Sequence, residues 1–393
     1  MAQHINDNLN DCRFHVSLDT TSHCNLRCRH CWMDAVRAKG YYFKNEVMPF
    51  DLFKRIADQF PGRCQSFGLS CGYEPLINKE FPRYVAYAVE LGLPDVHFYT
   101  NGTLLTEKMA EEIVAAGPKR IVFSLEGTTE ESFQDIRRGA KLEQFTRALD
   151  MIHREKQRQG RHRPVLRFNW VMMPRNLQEL PDLARLADEH HCAEIFFIPH
   201  IRWEDAGLQE NSLLEGDIRA ARESIDAFKQ QCAALGIHVF DEMLRDALPT
   251  TPQPSSNGNG GGLRQRLQHL LRGNAGHQPF EPYCRQPWEM MIVTSTGTIM
   301  PCSGTLLDRV YGDFSRQTLE EMWESAEFRA LREGLAGRGP LCSHCRDCPH
   351  NRLNSKQEDF HRPRPLDAEL LRQVIPTIAR KQAAKAASAE QDE

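Results

Sequence analysis

At 393 residues the chain can hold one large domain or two, and 40% hydrophobic with 26% charged residues is the balance of a globular protein. A formal net charge of −4 gives no reason to expect nucleic acid or an acidic membrane surface as a partner. The first ten residues are polar and no run of 18 apolar residues occurs, so neither a signal peptide nor a membrane-spanning helix is expected, and the expected location is cytoplasmic.

Taken in order, the apolar run at 14–18 reads as a strand, and it leads directly into Cys24, Cys28 and Cys31. Three and two residues separate these cysteines, and thiolates so close together are soft ligands for iron–sulfur clusters, zinc or copper. A four-iron cluster normally takes four cysteines, so three would leave one iron open to a ligand that is not protein. A zinc loop or buried thiols are the other readings of the same three residues. Residues 39–48 form a polar and aromatic connection. A helix is expected over 49–60, where Phe50, Phe53, Ile56 and Phe60 recur at helical spacing, then a strand over 66–70 that ends in Cys71, Gly72, Tyr73, Glu74 and Pro75. A helix over 80–91, a strand over 96–99, the turn at Thr100, Asn101 and Gly102, and a helix over 106–116 stopped by Gly117-Pro118 follow. A buried strand over 121–125 runs into Glu126-Gly127. Beyond it come helices over 130–137 and 142–159, and strands over 165–172 and 195–198 on either side of a helix over 177–190. Six strand–helix repeats fit between residues 14 and 200, which is the pattern of a parallel sheet curling into an open or closed barrel. Ligands of such sheets lie at the C-terminal ends of the strands, where the cysteine loop and the 72–75, 100–102 and 126–127 segments all fall.

A helix over 211–235 and a short strand over 236–240 precede a Pro/Ser/Asn/Gly-rich stretch at 249–262 that reads as a linker. Thirteen cysteines is many for a reducing compartment, where clustered cysteines serve as metal ligands or catalysts more often than as disulfides. Five of them gather late in the chain: Cys284, Cys302, Cys342, Cys345 and Cys348. The two runs at 290–294 and 298–300 flank Gly297 as a hairpin, and a helix is expected over 319–335. A zinc ribbon would use a hairpin and a paired CxxC as well. The single cysteines Cys12, Cys64, Cys71, Cys192 and Cys232 read as small buried apolar side chains. The expected division is 12–245 for the barrel with its core at 14–200, 246–280 for the linker, 281–360 for a second domain, and 361–393 for a tail that is helical over 366–378 and then disordered.

The CxxxCxxC loop followed by Trp32 resembles the signature of the radical S-adenosylmethionine (SAM) superfamily, and the segments downstream resemble its SAM site. Gly72-Tyr73-Glu74-Pro75 stands where that family has Gly-Gly-Glu-Pro, a segment that hydrogen-bonds the SAM amino group; Tyr73 replaces the second glycine. The stretch Ser124-Leu125-Glu126-Gly127 resembles the motif that reaches the SAM ribose, with Glu126 where Asp is more usual. Asn169 matches a position that often contacts SAM, Asn101 lies at the matching turn, and Arg138-Gly139 resembles a pair whose arginine meets the SAM carboxylate. The late cysteines resemble the auxiliary-cluster domains called twitch and SPASM. Five cysteines support one auxiliary cluster on Cys284, Cys302, Cys342 and Cys345, which favours the twitch version, with Cys348 as substitute or outer residue. The resemblance implies an α/β fold: a partial (βα)6 radical SAM barrel followed by a small α+β twitch/SPASM-like cluster domain. It implies two [4Fe-4S] clusters, SAM, a small-molecule or peptide substrate, and a reductant such as flavodoxin or ferredoxin. The leading expectation is a dehydrogenase-like radical oxidation, with the auxiliary cluster taking the substrate electron. Peptide crosslinking, sulfatase-maturase-like oxidation, and epimerisation with Cys71 as hydrogen donor are the alternatives. His200 and Arg202, after the sixth strand, are the candidates for accepting the substrate proton.

Overall fold

In the computed structural model, the described residues are 8–70, 72–200, 218–243, 284–302, 310–342, 345–346, 372, 375 and 377–380. The expected linker, Cys71, Arg202 and Cys348 lie outside them.

One sheet of nine strands organises the molecule. Six of its strands run in parallel through the first two hundred residues: β1 (Phe14–Leu18), β3 (Cys64–Gly68), β4 (Val96–Thr100), β5 (Arg120–Leu125), β6 (Val165–Met172) and β7 (Glu194–Pro199). Between them the chain forms α2 (Phe50–Ala57), α3 (Phe81–Glu90), α4 (Glu107–Ala116), α5 (Glu130–Ile136), α6 (Leu142–Arg158) and α7 (Leu180–Glu189). Neighbouring helices touch in sequence, α2 on α3, α3 on α4 and α4 on α6. Alternation decides which side of the sheet they cover. Phe14, Val16, Leu18, Phe67, Phe98, Phe123, Phe168 and Phe197 are buried on the helix side. The opposite face carries in register Ser17, Gly68, His97 and Arg120, then Tyr99, Val122 and Arg167, then Ser124, Asn169 and Phe196. This inner face mixes polar and charged side chains with Tyr99, Val122 and Phe196, whereas the outer one is apolar.

The partial barrel extends at both edges. Beyond β7, α8 (Ile218–Ala234) packs on α7 and β8 (His238–Phe240) pairs parallel with β7. Beyond β1, the second cysteine region contributes α9 (Gln286–Glu289), β9 (Met290–Val293) and β10 (Ile299–Met300). Strand β9 runs parallel to β1, with His15 opposite Met290 and Leu18 opposite Val293, and β10 folds back antiparallel on it. The expected hairpin is therefore present, and it is part of the barrel sheet. Its turn uses Gly297 at φ +91°, a conformation open to glycine. The expected helix over 319–335 is two helices, α10 (Leu319–Trp323) and α11 (Ala326–Leu335). Ser325 breaks it by accepting the backbone N–H of Phe328 as a fresh N-cap. Trp323 is fully buried and meets Phe14 of β1 edge-on at 5.8 Å.

Two elements differ from expectation. The connection after the cysteine loop begins with helix α1 (Trp32–Ala38) and contains strand β2 (Tyr41–Phe43). The tail expected to be helical over 366–378 is described only in part, and its last residue opens β11 (Ile378–Arg380), a strand antiparallel to β2. Ile375 and Ile378 close a small apolar cluster with Met33, Ala35, Val36, Tyr41 and Phe43, and this burial favours a strand over a frayed helix. Among the described residues no helix is long and apolar enough to cross a membrane.

Candidate functional site

The cysteine loop leaves the C-terminal end of β1, and its neighbours fix it on three sides. Asn25 is bracketed by the end of β4: Asn101 Nδ2 donates to Asn25 Oδ1 at 3.0 Å, and Asn25 Nδ2 donates to Thr103 Oγ1 at 2.9 Å. The backbone N–H groups of Arg27 and Arg29 donate to the carbonyls of Arg138 and Ile136 at 3.1 and 2.9 Å. Cys31 begins α1, and the next side chain, Trp32, meets Phe43 and Tyr73 edge-on at 5.4 and 6.1 Å. Tyr73 and Phe43 complete a triangle at 5.9 Å, which gives the residue at the usual glycine position a packing role.

Cys24, Cys28 and Cys31 are free thiols and half-buried. Burial pushes the Cys24 thiol up to about 12, and the Glu74 and Cys31 charges add to that. Burial likewise raises Cys28 and Cys31. Three thiols held up in this way become thiolates only with a compensating cation, which is what an iron–sulfur core supplies. The donor set fits the cluster that the motif implies.

Around the loop, the segment 72–75 is anchored rather than free. Gly72 N–H donates to Asp19 Oδ1 at 3.0 Å. The Glu74 carboxylate is buried and accepts three bonds from the chain: Leu76 N at 3.1 Å, Thr100 Oγ1 at 2.8 Å and Asn101 N at 2.7 Å. Burial lifts its pKa to about 7 against those three donors. Pro75 is buried behind it and opens a single helical turn over Pro75–Ile77. Asn101 is similarly spent, since its Oδ1 accepts from Thr103 N and Oγ1 at 2.9 and 2.7 Å. Glu74 and Asn101 thus build the wall of the site from within. Ser124 and Asn169 stand side by side on β5 and β6, and neither side chain has a hydrogen bond among the described residues. They are the polar groups left for a ligand.

At the end of β5 the chain must turn sharply, because a Cβ on Gly127 would sit 2.5 Å from Phe133 N. This turn delivers Glu126 to Arg137, not to open space. The Arg137 guanidinium grips the carboxylate with two bonds, Nε to Oε2 and Nη2 to Oε1, the latter at 2.9 Å. Both residues are buried, 1% and 6% exposed, and His30 Nε2 lies 3.8 Å from Glu126 Oε1. Burial opposes the Arg137 charge, but Glu126 and the Cys28 and Cys24 thiols hold its pKa above the ordinary value. Arg138, expected at the SAM carboxylate, is exposed, and its neighbour Arg137 is the arginine buried against Glu126. The sequence offers two adjacent arginines and no sign of which one turns inward. The one available signal is the buried basic partner that a Glu at the end of a hydrophobic strand requires.

His200 follows β7 directly and is buried. In the second region, Cys284 precedes α9 and Cys302 follows β10, while Cys342 and Cys345 share a turn in which Cys345 N–H donates to Cys342 Sγ at 3.2 Å. All four are half-buried against the main core. The two cysteine regions meet at Met300, two residues before Cys302, which packs on the same small apolar cluster as Cys24 and Cys31. Cys12, Cys64, Cys192 and Cys232 are buried, and Cys192 donates to the Leu166 and Glu194 carbonyls.

Comparison with known proteins agrees with this geometry. Residues 18–187 match the model of the radical SAM superfamily, and residues 284–349 match an iron–sulfur cluster-binding domain, SPASM. The AdoMet-dependent heme synthase of Methanosarcina barkeri (strain Fusaro) is 25% identical over 346 residues, covering 85% of this chain and 89% of that one. Streptococcus suis SuiB bound to its precursor peptide SuiA superposes with a TM-score of 0.60 at 14% identity, covering 92% of this chain and 73% of that one. The enzyme anSMEcpe with bound AdoMet superposes with a TM-score of 0.56 at 18% identity, covering 85% and 86%. These two likenesses are of fold. The two family matches together span more than half of the 393 residues: the chain belongs to the radical SAM superfamily, with a SPASM-type iron–sulfur domain on its C-terminal side.

Proposed function

We propose that this chain is a radical SAM oxidoreductase that takes a hydrogen and then an electron from its substrate, and that the substrate is a tetrapyrrole. Similarity to a heme synthase along most of both chains favours that class over a peptide. The observation that carries the oxidative reading is the junction of the two cysteine regions. Strand β9 is hydrogen-bonded to β1, Asp19 N–H donates to the Val293 carbonyl at 2.8 Å, and Met300 packs on the same apolar cluster as Cys24 and Cys31. An electron acceptor held there would be fixed to the strand that leads into the first cysteine loop.

In this reading Cys24, Cys28 and Cys31 hold the first [4Fe-4S] cluster. When bound, that cluster supplies the electron that splits SAM into methionine and the 5′-deoxyadenosyl radical that abstracts substrate hydrogen. Gly72 and Tyr73 present backbone to the SAM amino group, held in place by Glu74 and Pro75, and Ser124 and Asn169 present side chains to the rest of SAM. Cys284, Cys302, Cys342 and Cys345 supply four thiolates to the auxiliary site and leave no iron open, which suits electron uptake better than substrate binding. Cys348 lies just outside that set. Oxidation of the substrate radical releases a proton, and His200, buried at the end of β7, is placed to hold it, with Arg202 beyond it in the chain. A one-electron donor of the flavodoxin or ferredoxin type completes the cycle.

The test is anaerobic reconstitution, followed by reduction in the presence of SAM with tetrapyrroles and with peptides. About eight irons per chain are expected, together with 5′-deoxyadenosine release that rises with a tetrapyrrole and yields an oxidised product. Release stimulated only by peptides would overturn the substrate assignment. Product formed without loss of an electron pair would overturn the oxidative one.

A further inference from the structure

We propose that the buried Glu126–Arg137 pair sets the charge environment of the SAM cluster: Arg137 holds a fixed positive charge against the cysteine loop, raising the cluster's reduction potential, and Glu126 keeps it there. The inference rests on the reading that Cys24, Cys28 and Cys31 carry that cluster.

Three observations lead to it. Arg137 lies between the two backbone carbonyls that hold the loop, those of Ile136 and Arg138, so its side chain starts midway between the anchor points of Arg29 and Arg27. Its guanidinium is fixed from two directions by Glu126, whose own carbonyl accepts Asn176 Nδ2 at 3.2 Å. Both charges are screened little by water at 1% and 6% exposure, so their field reaches nearby groups at close to full strength. Arg137 bears on all three thiols, and on Cys28 it outweighs Glu126. Glu126 meets the loop as well, its Oε1 lying 3.8 Å from His30 Nε2, so both charges of the pair lie against the cysteine loop.

Reduction of a four-iron cluster adds one electron, taken from the donor, and makes the site one unit more negative. A fixed positive charge beside it favours the reduced form, and potentials of such clusters respond to neighbouring charge and solvent exposure. An arginine alone could not remain there, because an unpaired buried charge is strongly destabilising. Glu126 supplies the partner, and both its oxygens are occupied in doing so. It is therefore a positioning residue for Arg137, and recognition of the SAM ribose falls to Ser124 and Asn169.

The test uses full-length, anaerobically reconstituted protein and redox titration with dithionite, followed by electron paramagnetic resonance. The SAM cluster is the signal that changes when SAM is added. Arg137→Gln is expected to shift its potential down and Glu126→Gln to shift it up. The charge-balanced double variant, Glu126→Gln with Arg137→Gln, should fall between the two. Shifts of both single variants in the same direction, or a double variant further from wild type than either, would mean the pair acts only through packing and would overturn the proposal. Unchanged potentials in iron-replete variants would overturn it too. If Arg137→Gln retains no cluster, Arg137→Lys decides: it keeps the charge and loses the fork, so a near-wild-type potential supports the proposal and a fall contradicts it. A wild-type protein with no SAM-responsive signal would instead overturn the cluster reading itself.

Discussion

The two cysteine regions are built in opposite ways. Cys24, Cys28 and Cys31 lie within eight residues, on a loop that β4, α5 and α1 hold through specific hydrogen bonds. Cys284, Cys302, Cys342 and Cys345 come from segments sixty residues apart and share one described bond, from Cys345 N–H to Cys342 Sγ. The first site is shaped by the protein before any cofactor arrives. For the second we propose that a bound cluster joins its segments, as metals do in small cysteine-rich modules. Iron loss should therefore leave the barrel folded and loosen the C-terminal domain.

The sharpest test of that contrast is to remove each set of ligands in turn. Replacing Cys24, Cys28 and Cys31 with alanine should abolish 5′-deoxyadenosine formation and remove about four irons, with little change in the melting of the apo-protein. A melting transition lowered as far as that of the auxiliary-site variant would erase the distinction. Cys284→Ala with Cys302→Ala should keep SAM cleavage but uncouple it: 5′-deoxyadenosine continues while oxidised product falls at least tenfold. Limited proteolysis should then cut first after residue 284. Normal product from a folded variant lacking that cluster would end the electron-transfer role.

The seam between the regions should be worth less than either cofactor yet still be measurable. Trp323→Ala removes a fully buried ring from the face of Phe14, at a cost of about 3–5 kcal/mol in urea unfolding. A cost near zero would mean the domains are joined only by β9 and the bound cluster. Smaller again is the pH effect of Glu74. Its folded pKa near 7 lies above the ordinary carboxylate value, so its contribution is fully present below about pH 4.5 and is lost as pH rises through 7. Apo wild type should lose stability relative to Glu74→Gln between pH 5 and 8, by an amount on the order of 1–3 kcal/mol. A difference independent of pH would show that Glu74 remains charged throughout. Least of all, Arg138→Ala should change stability by no more than about 0.5 kcal/mol, because that side chain is exposed.

Much of the barrel could be read in advance because its physics is local. Each strand core, such as 121–125 or 165–172, is a short β-branched and aromatic run followed by a helix with its own stop signal, and the observed β5 and β6 follow them closely. The cysteine positions were legible for a similar reason, since spacing alone restricts thiolate chemistry. What escaped depended on distant partners. Tyr41–Phe43 is too short to declare itself a strand, and the segment that pairs with it begins at Ile378. Arg137 caps α5 at φ −97° and ψ +66° and is buried while Arg138 is exposed, and nothing in the sequence marks which of the two turns inward. Glu74 was visible as a site residue, but its three internal donors, which make it a structural carboxylate, come from residues 76, 100 and 101 after folding.

The pairing of β11 with β2 also imposes an order on assembly. A ribosome delivers Cys24, Cys28, Cys31 and all of the barrel well before Ile375 and Ile378 emerge, and domains generally fold as they appear. The apolar backing of Cys24 and Cys31 stays unfinished until that later segment is made. An iron donor that meets the nascent chain therefore finds an open loop, and the finished protein offers a covered one. A segment made long after the cysteine loop is the one that closes its apolar backing.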